Sequence, residues 1–302
     1  MKANATIHHK RMSKDVLAVN LVGYILIGLF ALACVLPFYL IIVASFTEEA
    51  SLIRNGYPLI LKDFSLESYK LSLKNPVAIL TAYGTTIGVT IVGTALSVFI
   101  ATMTGYVLSR QDFPWRGKLS FFFFFTTLFN GGLVPWYMLC VRYLGFKNSY
   151  ISILLPLMFS VWNMIIAKSF MLGIPAAISE SAKIDGANDF VIFIRLILPL
   201  SKPLIATLGL FSALAYWNDW YNCMLYISDD TKFTLQYYLQ RVLGSAEAMR
   251  IVAEKSGIAL PSLPLESMKM AMTVIATGPI VLLYPFVQRY FVKGLTIGAV
   301  KG

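Results

Sequence analysis

The chain has 302 residues, of which 58% are hydrophobic and only 13% charged, about half the charged fraction of an average soluble domain. With a mean hydropathy of +0.71, its apolar surface exceeds what one core of this length hides, and the excess must face lipid. That excludes a soluble enzyme, a disordered chain and a disulfide-bonded secreted scaffold. The net charge of +10 fits the basic inner loops of a membrane protein; binding to nucleic acid would need clustered basic residues on a soluble surface.

Residues 1–19 read as a tail, and they hold the only histidines, His8 and His9. The membrane body therefore has no histidine for a metal site or a catalytic triad. A span needs about 20 mostly apolar residues, and six stretches qualify, near 20–44, 79–104, 119–141, 150–172, 200–224 and 271–292. The first follows Lys10, Arg11 and Lys14 and is too long for the apolar core of a signal peptide, so it reads as an uncleaved anchor. The second carries Gly84-Thr85-Thr86-Ile87-Gly88, then Thr90, Gly93 and Thr94, small residues at a spacing that lets helices approach closely. The third includes Phe121–Phe125, lipid-facing bulk, and is interrupted by Asn130, Gly131, Gly132 and Pro135. Such a break is tolerated only where protein or a water-lined cavity satisfies the freed backbone groups. Cys34, Cys140 and Cys223 lie in apolar stretches with neither metal-ligand nor disulfide spacing, and the chain shows no internal repeat.

With the N-terminus in the cytoplasm, the inner segments and adjoining span ends hold fourteen of the 25 Lys/Arg and five of the 15 Asp/Glu. That leaves a net +9 inside against +1 outside, the sense of the positive-inside rule. The expectation is an all-α membrane protein with both termini cytoplasmic: a tail over 1–19, a six-span body over 20–292 and a tail over 293–302. On the outer face, 225–270 is a long segment with a turn at Asp229-Asp230, a helix over Thr234–Leu243 and an irregular loop from Gly257 to Pro264.

The inner loop at 173–199 is the most informative. Pro175 suits a first helical turn, where its missing N–H costs nothing. Ile178, Ala182 and Asp185/Gly186 recur about one turn apart. Gly186 is placed to end this helix in a left-handed conformation, and Asn188 to cap a second helix toward Arg195. Pro199 and Pro203 mark the start of span five. The pattern gives a helix, a sharp turn and a second helix standing clear of the membrane, which suits either a lever for a partner protein or a solvated connector.

Glu180-Ser181-Ala182, Gly186 four residues on, and Leu198-Pro199 resemble the EAA motif of ABC importer permeases. Ser181 stands where that motif usually has Ala, and Leu196 where Ile is common. The tail Gln288–Gly302 is similar to that of the MalG-like permeases, the second permease subunits of maltose-type importers. Phe129–Pro135 and Trp217-Asn218-Asp219-Trp220 resemble the branch for oligosaccharide or polysaccharide fragments, alginate and rhamnogalacturonan types included.

The resemblance implies a type I ABC importer permease fold in a bacterial cytoplasmic membrane. It implies four kinds of partner: a second, MalF-like permease, two ATPase subunits, an extracytoplasmic solute-binding protein and a carbohydrate substrate. No Walker A sequence is present, so this chain is expected to bind no cofactor and to be no enzyme itself, with ATP and Mg used by the partner ATPase. Glu180, Ser181, Ala182, Asp185, Gly186, Leu198 and Pro199 would couple it to the ATPase. By the same resemblance, part of the outer segment, Gly244–Pro261, would be a scoop-like loop entering the binding protein, and Leu295–Gly302 would reach into the ATPase interface.

Tyr216–Tyr221 lies toward the outer end of span five, where Trp and Tyr commonly anchor a protein at the membrane interface. The sharper reading is a candidate substrate pathway. Trp217, Trp220 and Tyr221 would offer faces to sugar C–H surfaces, and Asn218 and Asp219 would offer polar groups to hydroxyls. Asn130 and Asn163 are further candidates. Asp219 also supports a competing class, a secondary transporter with Asp219 as an intramembrane proton-linked group. Against it, no second carboxylate or histidine partners Asp219, and no inverted repeat is evident.

Overall fold

The structure is a computed structural model that describes residues 14–256 and 264–299. The expectations for most of the 1–19 tail, for residues 257–263 of the outer loop and for the final three residues fall outside the described residues.

The chain forms two units, one of 1–71 with 264–274 and the other of 72–263 with 275–302. The first unit begins with α1 (Lys14–Ser45), a 32-residue helix whose Pro37 is accommodated inside it. Its most apolar stretch buries nothing inside the chain. Apolar all round and covering no core, the helix is long and apolar enough to cross a membrane. Beyond it the backbone is pinned by side chains: Thr47 Oγ1 donates to the Val43 carbonyl at 2.8 Å, and Phe46 stacks on Tyr69 at 4.9 Å. An isolated antiparallel bridge joins Thr47 to Phe64. α2 (Glu49–Asn55) and α3 (Glu67–Ser72) follow.

The Glu49 carboxylate accepts from the backbone N–H groups of Glu266 (3.0 Å) and Ser267 (2.8 Å) and from the Ser267 hydroxyl (2.8 Å). These are among the N–H groups a helix start leaves open, so a residue more than two hundred positions upstream caps the C-terminal helix. Ser68 adds a 2.6 Å hydrogen bond to Ser267.

The second unit is built on α4 (Pro76–Ser109), with Pro76 in its first turn and the Asn75 side chain accepting from the Ala78 N–H at 3.2 Å. α5 (Arg116–Leu128) and α6 (Leu133–Met138) meet at 112° across the Asn130–Gly132 break. Gly132 has φ +86°, and its N–H is accepted by Asn130 Oδ1 at 2.8 Å. The expected interruption is thus a sharp reversal of direction. Phe121, Phe122, Phe124 and Phe125 are exposed, as lipid-facing bulk would be.

α7 (Ile151–Met158) and α8 (Val161–Met171) are bent by 46° at Phe159-Ser160, a break that the continuous apolar stretch 150–172 did not reveal. Pro156 precedes it, and Ser160 restarts the helix by accepting from the Asn163 N–H at 3.3 Å. The inner loop then forms α9 (Ala176–Ile184), α10 (Asp189–Ile192), a π-helical turn over Phe193–Ile197 and α11 (Leu198–Leu200). An 84° bend then leads into α12 (Lys202–Trp217), and α13 (Tyr221–Tyr226) follows.

α14 (Leu235–Ser256) corrects the reading of the outer segment: the helix expected to end at Leu243 continues through Gly244 for three more turns, so 244–256 is helix rather than scoop-like loop. One interior glycine costs a helix about 1 kcal/mol, and the Arg250–Glu247 ion pair one turn apart supports the extension. Finally α15 (Leu265–Ala299) begins in the first unit and ends in the second.

The second unit's core sits where α4 packs on α8 and α12. Gly93 lets the Tyr216 ring come so close that a methyl built there would lie 2.4 Å from it, and a methyl on Gly105 would lie 2.6 Å from Ala167 Cβ. Of the small residues expected to let helices approach, a methyl added at Gly84 or Gly88 would meet nothing within 4 Å, while Gly93 does make a close approach; Gly105, outside that expectation, makes a second.

Candidate functional site

Pro175 (φ −57°, ψ 130°) stands just before the inner-loop helix α9, one position earlier than its reading as a first-turn residue. At the far end, the Ala187 N–H donates to the Ala182 carbonyl at 2.9 Å and the Gly186 N–H to the Lys183 carbonyl at 3.0 Å. Gly186 has φ +82°. This pair of bonds around a left-handed glycine is the Schellman termination. Two residues later Asn188 Oδ1 accepts from the Val191 N–H at 2.9 Å and starts α10. The helix–turn–helix read from the sequence is therefore made by the residues that signalled it.

α9 buries none of its residues. Glu180, Ser181, Asp185 and Gly186 are exposed, while Ala182 and Leu198 pack against a core cluster containing Ala167, Ile192, Phe193 and Ile197. Pro199 is exposed, and after it the fully buried Ser201 donates its N–H to the Ile197 carbonyl at 2.9 Å, at the 84° bend. Ile184 is 87% exposed, an apolar side chain aimed away from the bundle that the sequence reading passed over.

The reading also missed a ring of charges beneath α9. Arg110, just past the end of α4, donates through Nε to Asp112 at 2.8 Å and pairs with Asp189; Lys183 donates to Asp112 at 2.8 Å and lies 3.9 Å from Asp189. The Arg110 guanidinium and the Lys183 ammonium hold the Asp112 carboxyl well below the usual carboxylate range. No local pattern points to this ring, because Asp112 and Lys183 are 71 positions apart. Beside it, a cavity of about 560 Å³ is lined by Tyr106, Arg110, Pro175, Glu180 and Lys183 among others.

The candidate pathway residues are divided. Trp217 is 6% exposed and donates its indole N–H to the Ala276 carbonyl at 3.1 Å. Asn218 donates to the Leu214 carbonyl at 2.9 Å. Asp219 is 8% exposed and accepts from the Asn222 N–H and side-chain amide, both at 3.1 Å, which makes it the support for the start of α13. Trp220 and Tyr221 are more open, edge to face at 5.9 Å. Asn163 is buried and donates to Ser212, which donates to Ser97, a polar seam linking α8, α12 and α4. Asn130 is exposed and engaged with Gly132. Among the described residues, no cluster of three or more His, Cys, Asp or Glu is placed to hold a metal ion.

No family model matches the chain. It is 40% identical over 280 residues to the polygalacturonan/rhamnogalacturonan transport system permease protein YtcP of Bacillus subtilis (strain 168), covering 93% of this chain and 96% of that one. It is 30% identical to the trehalose/maltose transport system permease protein MalG of Thermococcus litoralis, over 91% of this chain and 94% of the relative. Among solved structures, a bacterial ABC transporter involved in the import of the acidic polysaccharide alginate matches with a TM-score of 0.76 and 28% identity, over 93% of this chain and 99% of that one.

The chain belongs to the MalG-like permeases of carbohydrate ABC importers. A MalG-like permease is a multi-pass protein of the cytoplasmic membrane, and the long apolar helices and bent helix pairs here agree with that. Membership also removes the competing class, a secondary transporter centred on Asp219. In the structure each Asp219 oxygen accepts a hydrogen bond from Asn222.

Proposed function

We propose that this permease forms one half of the ATP-driven translocation pathway for an oligosaccharide or polysaccharide fragment, delivered by an extracytoplasmic binding protein and passed through a pore shared with a MalF-like permease. Two ATPase subunits bind and hydrolyse ATP with Mg, and this chain contributes no nucleotide site. α1, α4, the bent pairs α5/α6 and α7/α8, α12 and α15 each make one crossing, six in all, with both termini in the cytoplasm.

The observation that carries the reading is the exposed α9, which buries no residue, ends in a glycine-dependent turn and lies in a chain 40% identical to a polysaccharide-type permease. α9 docks on an ATPase subunit, with Glu180, Ser181, Asp185 and Ile184 on its outward side and Gly186 fixing its angle. Ala182, Leu198 and Pro199 carry its displacement inward. ATP binding biases two packings of the bundle by a difference in affinity, and alternating access follows. On the outer side, Trp220 and Tyr221 offer open rings to a sugar. Trp217, Asn218 and Asp219 hold the backbone that presents them, and Asn130 and Asn163 contribute along the pathway.

Purification of the tagged chain from its native membrane tests this. A second permease, an ATPase and a solute-binding protein should accompany it, and uptake of oligogalacturonide by reconstituted vesicles should require ATP. Uptake without the ATPase would overturn the proposal.

A further inference from the structure

The ring of Arg110, Asp112, Lys183 and Asp189 joins three separate pieces of chain: the end of α4, the end of α9 and the start of α10. Its two positive and two negative charges pair with one another, around an Arg110 that is only 18% exposed. Arg110 is further fixed by lying 5.8 Å above the Tyr106 ring, which itself stacks on Phe193 at 5.5 Å. α9 reaches the core through Ala182, which packs against a cluster that includes Val98, Ala101 and Tyr106 of α4, and these charge-assisted bonds add a second side-chain tie to α4. α4 in turn is held against α12 by the Tyr216 ring seated at Gly93 and almost backbone to backbone against α8 at Gly105. A push delivered to the end of α4 therefore has little slack in which to dissipate.

We propose that Arg110, Asp112, Lys183 and Asp189 act together as a strut that carries the displacement of α9 directly into α4, a third output of the inner loop beside its covalent connections to α8 and α12. The four are positioning residues. The inference rests on the reading of α9 as the ATPase-docking helix.

The test uses the assembled importer with spin labels at Ala177→Cys on α9 and Gln111→Cys beside the end of α4, in a Cys34→Ser background because Cys34 is exposed. The interlabel distance is measured at rest and with the ATPase trapped by ATP and vanadate. With the ring intact, the distance should be single and unchanged by trapping. With Asp112→Asn or Lys183→Met it should shift or split on trapping, and the double variant should match either single one, because opening the ring at one point or two removes the same strut. Asp112→Glu and Lys183→Arg, which keep the charges, should restore the narrow distance.

The unaltered ring at about 1 M salt, where the screening length falls to about 3 Å, should behave like the variants, and this arm needs no substitution in the ring. A distance that shifts on trapping with the ring intact, or variants and high salt that change nothing, would overturn the strut. Failure of the docking reading would show separately: the Ala177 label would then keep the same mobility when the ATPase is added.

Discussion

Gly186 concentrates the inner loop's geometry in one residue. At φ +82° a side chain costs about 1–2 kcal/mol, whereas proline, locked near φ −65°, cannot occupy the position. Gly186→Pro should therefore abolish import and leave ATP hydrolysis uncoupled, with membrane insertion intact, while Gly186→Ala should retain part of the activity. Parallel uptake and phosphate-release assays on the same vesicles check this. Gly93 is a packing constraint. Gly93→Ala drives a methyl into the Tyr216 ring, and overpacking of this kind costs about 1–3 kcal/mol, visible as a lower melting temperature of the assembled importer in detergent.

The charged ring sets a pH dependence with a definite sign. Asp112 has its carboxyl held below the ordinary value of 3.8, so its contribution is fully present above that value and is lost as the pH falls through the lowered one. The difference in melting temperature between the unaltered chain and Asp112→Asn should stay constant from neutral pH down to about 5 and shrink only in stronger acid. A difference that disappeared near neutrality would contradict the geometry.

Among the elements, those whose ends are written in local chemistry were legible in the sequence. The termination at Gly186 and the cap at Asn188 follow from residue types whose backbone preferences hold in any context. The α5/α6 reversal was marked by Asn130, Gly131 and Gly132. The bend at Phe159-Ser160 was not, because the apolar run through it is unbroken and serine tolerates either role. α14 was cut short at Gly244 because a glycine inside a helical pattern reads like a glycine after it. The ring of charges was illegible for a different reason: its members come from segments that only the packing of α4 against α8 and α12 brings together.

The segment after α12 shows how an element reassigns a residue. Read along the chain, Asp219 was an ionisable group in search of a partner. In the fold it is a helix cap, and losing such a cap costs about 0.5–2 kcal/mol. Asp219→Ala should lower stability by roughly that much and loosen α13, whereas Asp219→Asn, which keeps an acceptor for the Asn222 N–H, should import at near the original rate. A loss of import in Asp219→Asn at unchanged stability would return Asp219 to the pathway itself.

At the scale of the molecule, three helices among the described residues are long and apolar enough to cross a membrane alone, and three bent pairs reach that measure together. Composition anticipated apolar helices of this kind, and family membership gives them a task. Photolabelling of the purified importer with an azido-ATP should modify the ATPase subunits and leave this chain unlabelled, the distribution expected of a permease whose energy arrives through a docked helix.

The hydrogen bonds from Glu266 and Ser267 to Glu49 have a consequence for biosynthesis. The first unit contains the start of the chain and the beginning of its last helix, separated by 217 residues between Glu49 and Glu266. At about 5–20 residues per second, a ribosome takes roughly 10–40 s to cover that interval. Throughout it the Glu49 carboxylate is an acceptor still without the donors that Glu266 and Ser267 will bring. The start of α15 is thus received by an acceptor made more than two hundred residues earlier, and its docking there records that the intervening chain has been threaded into place.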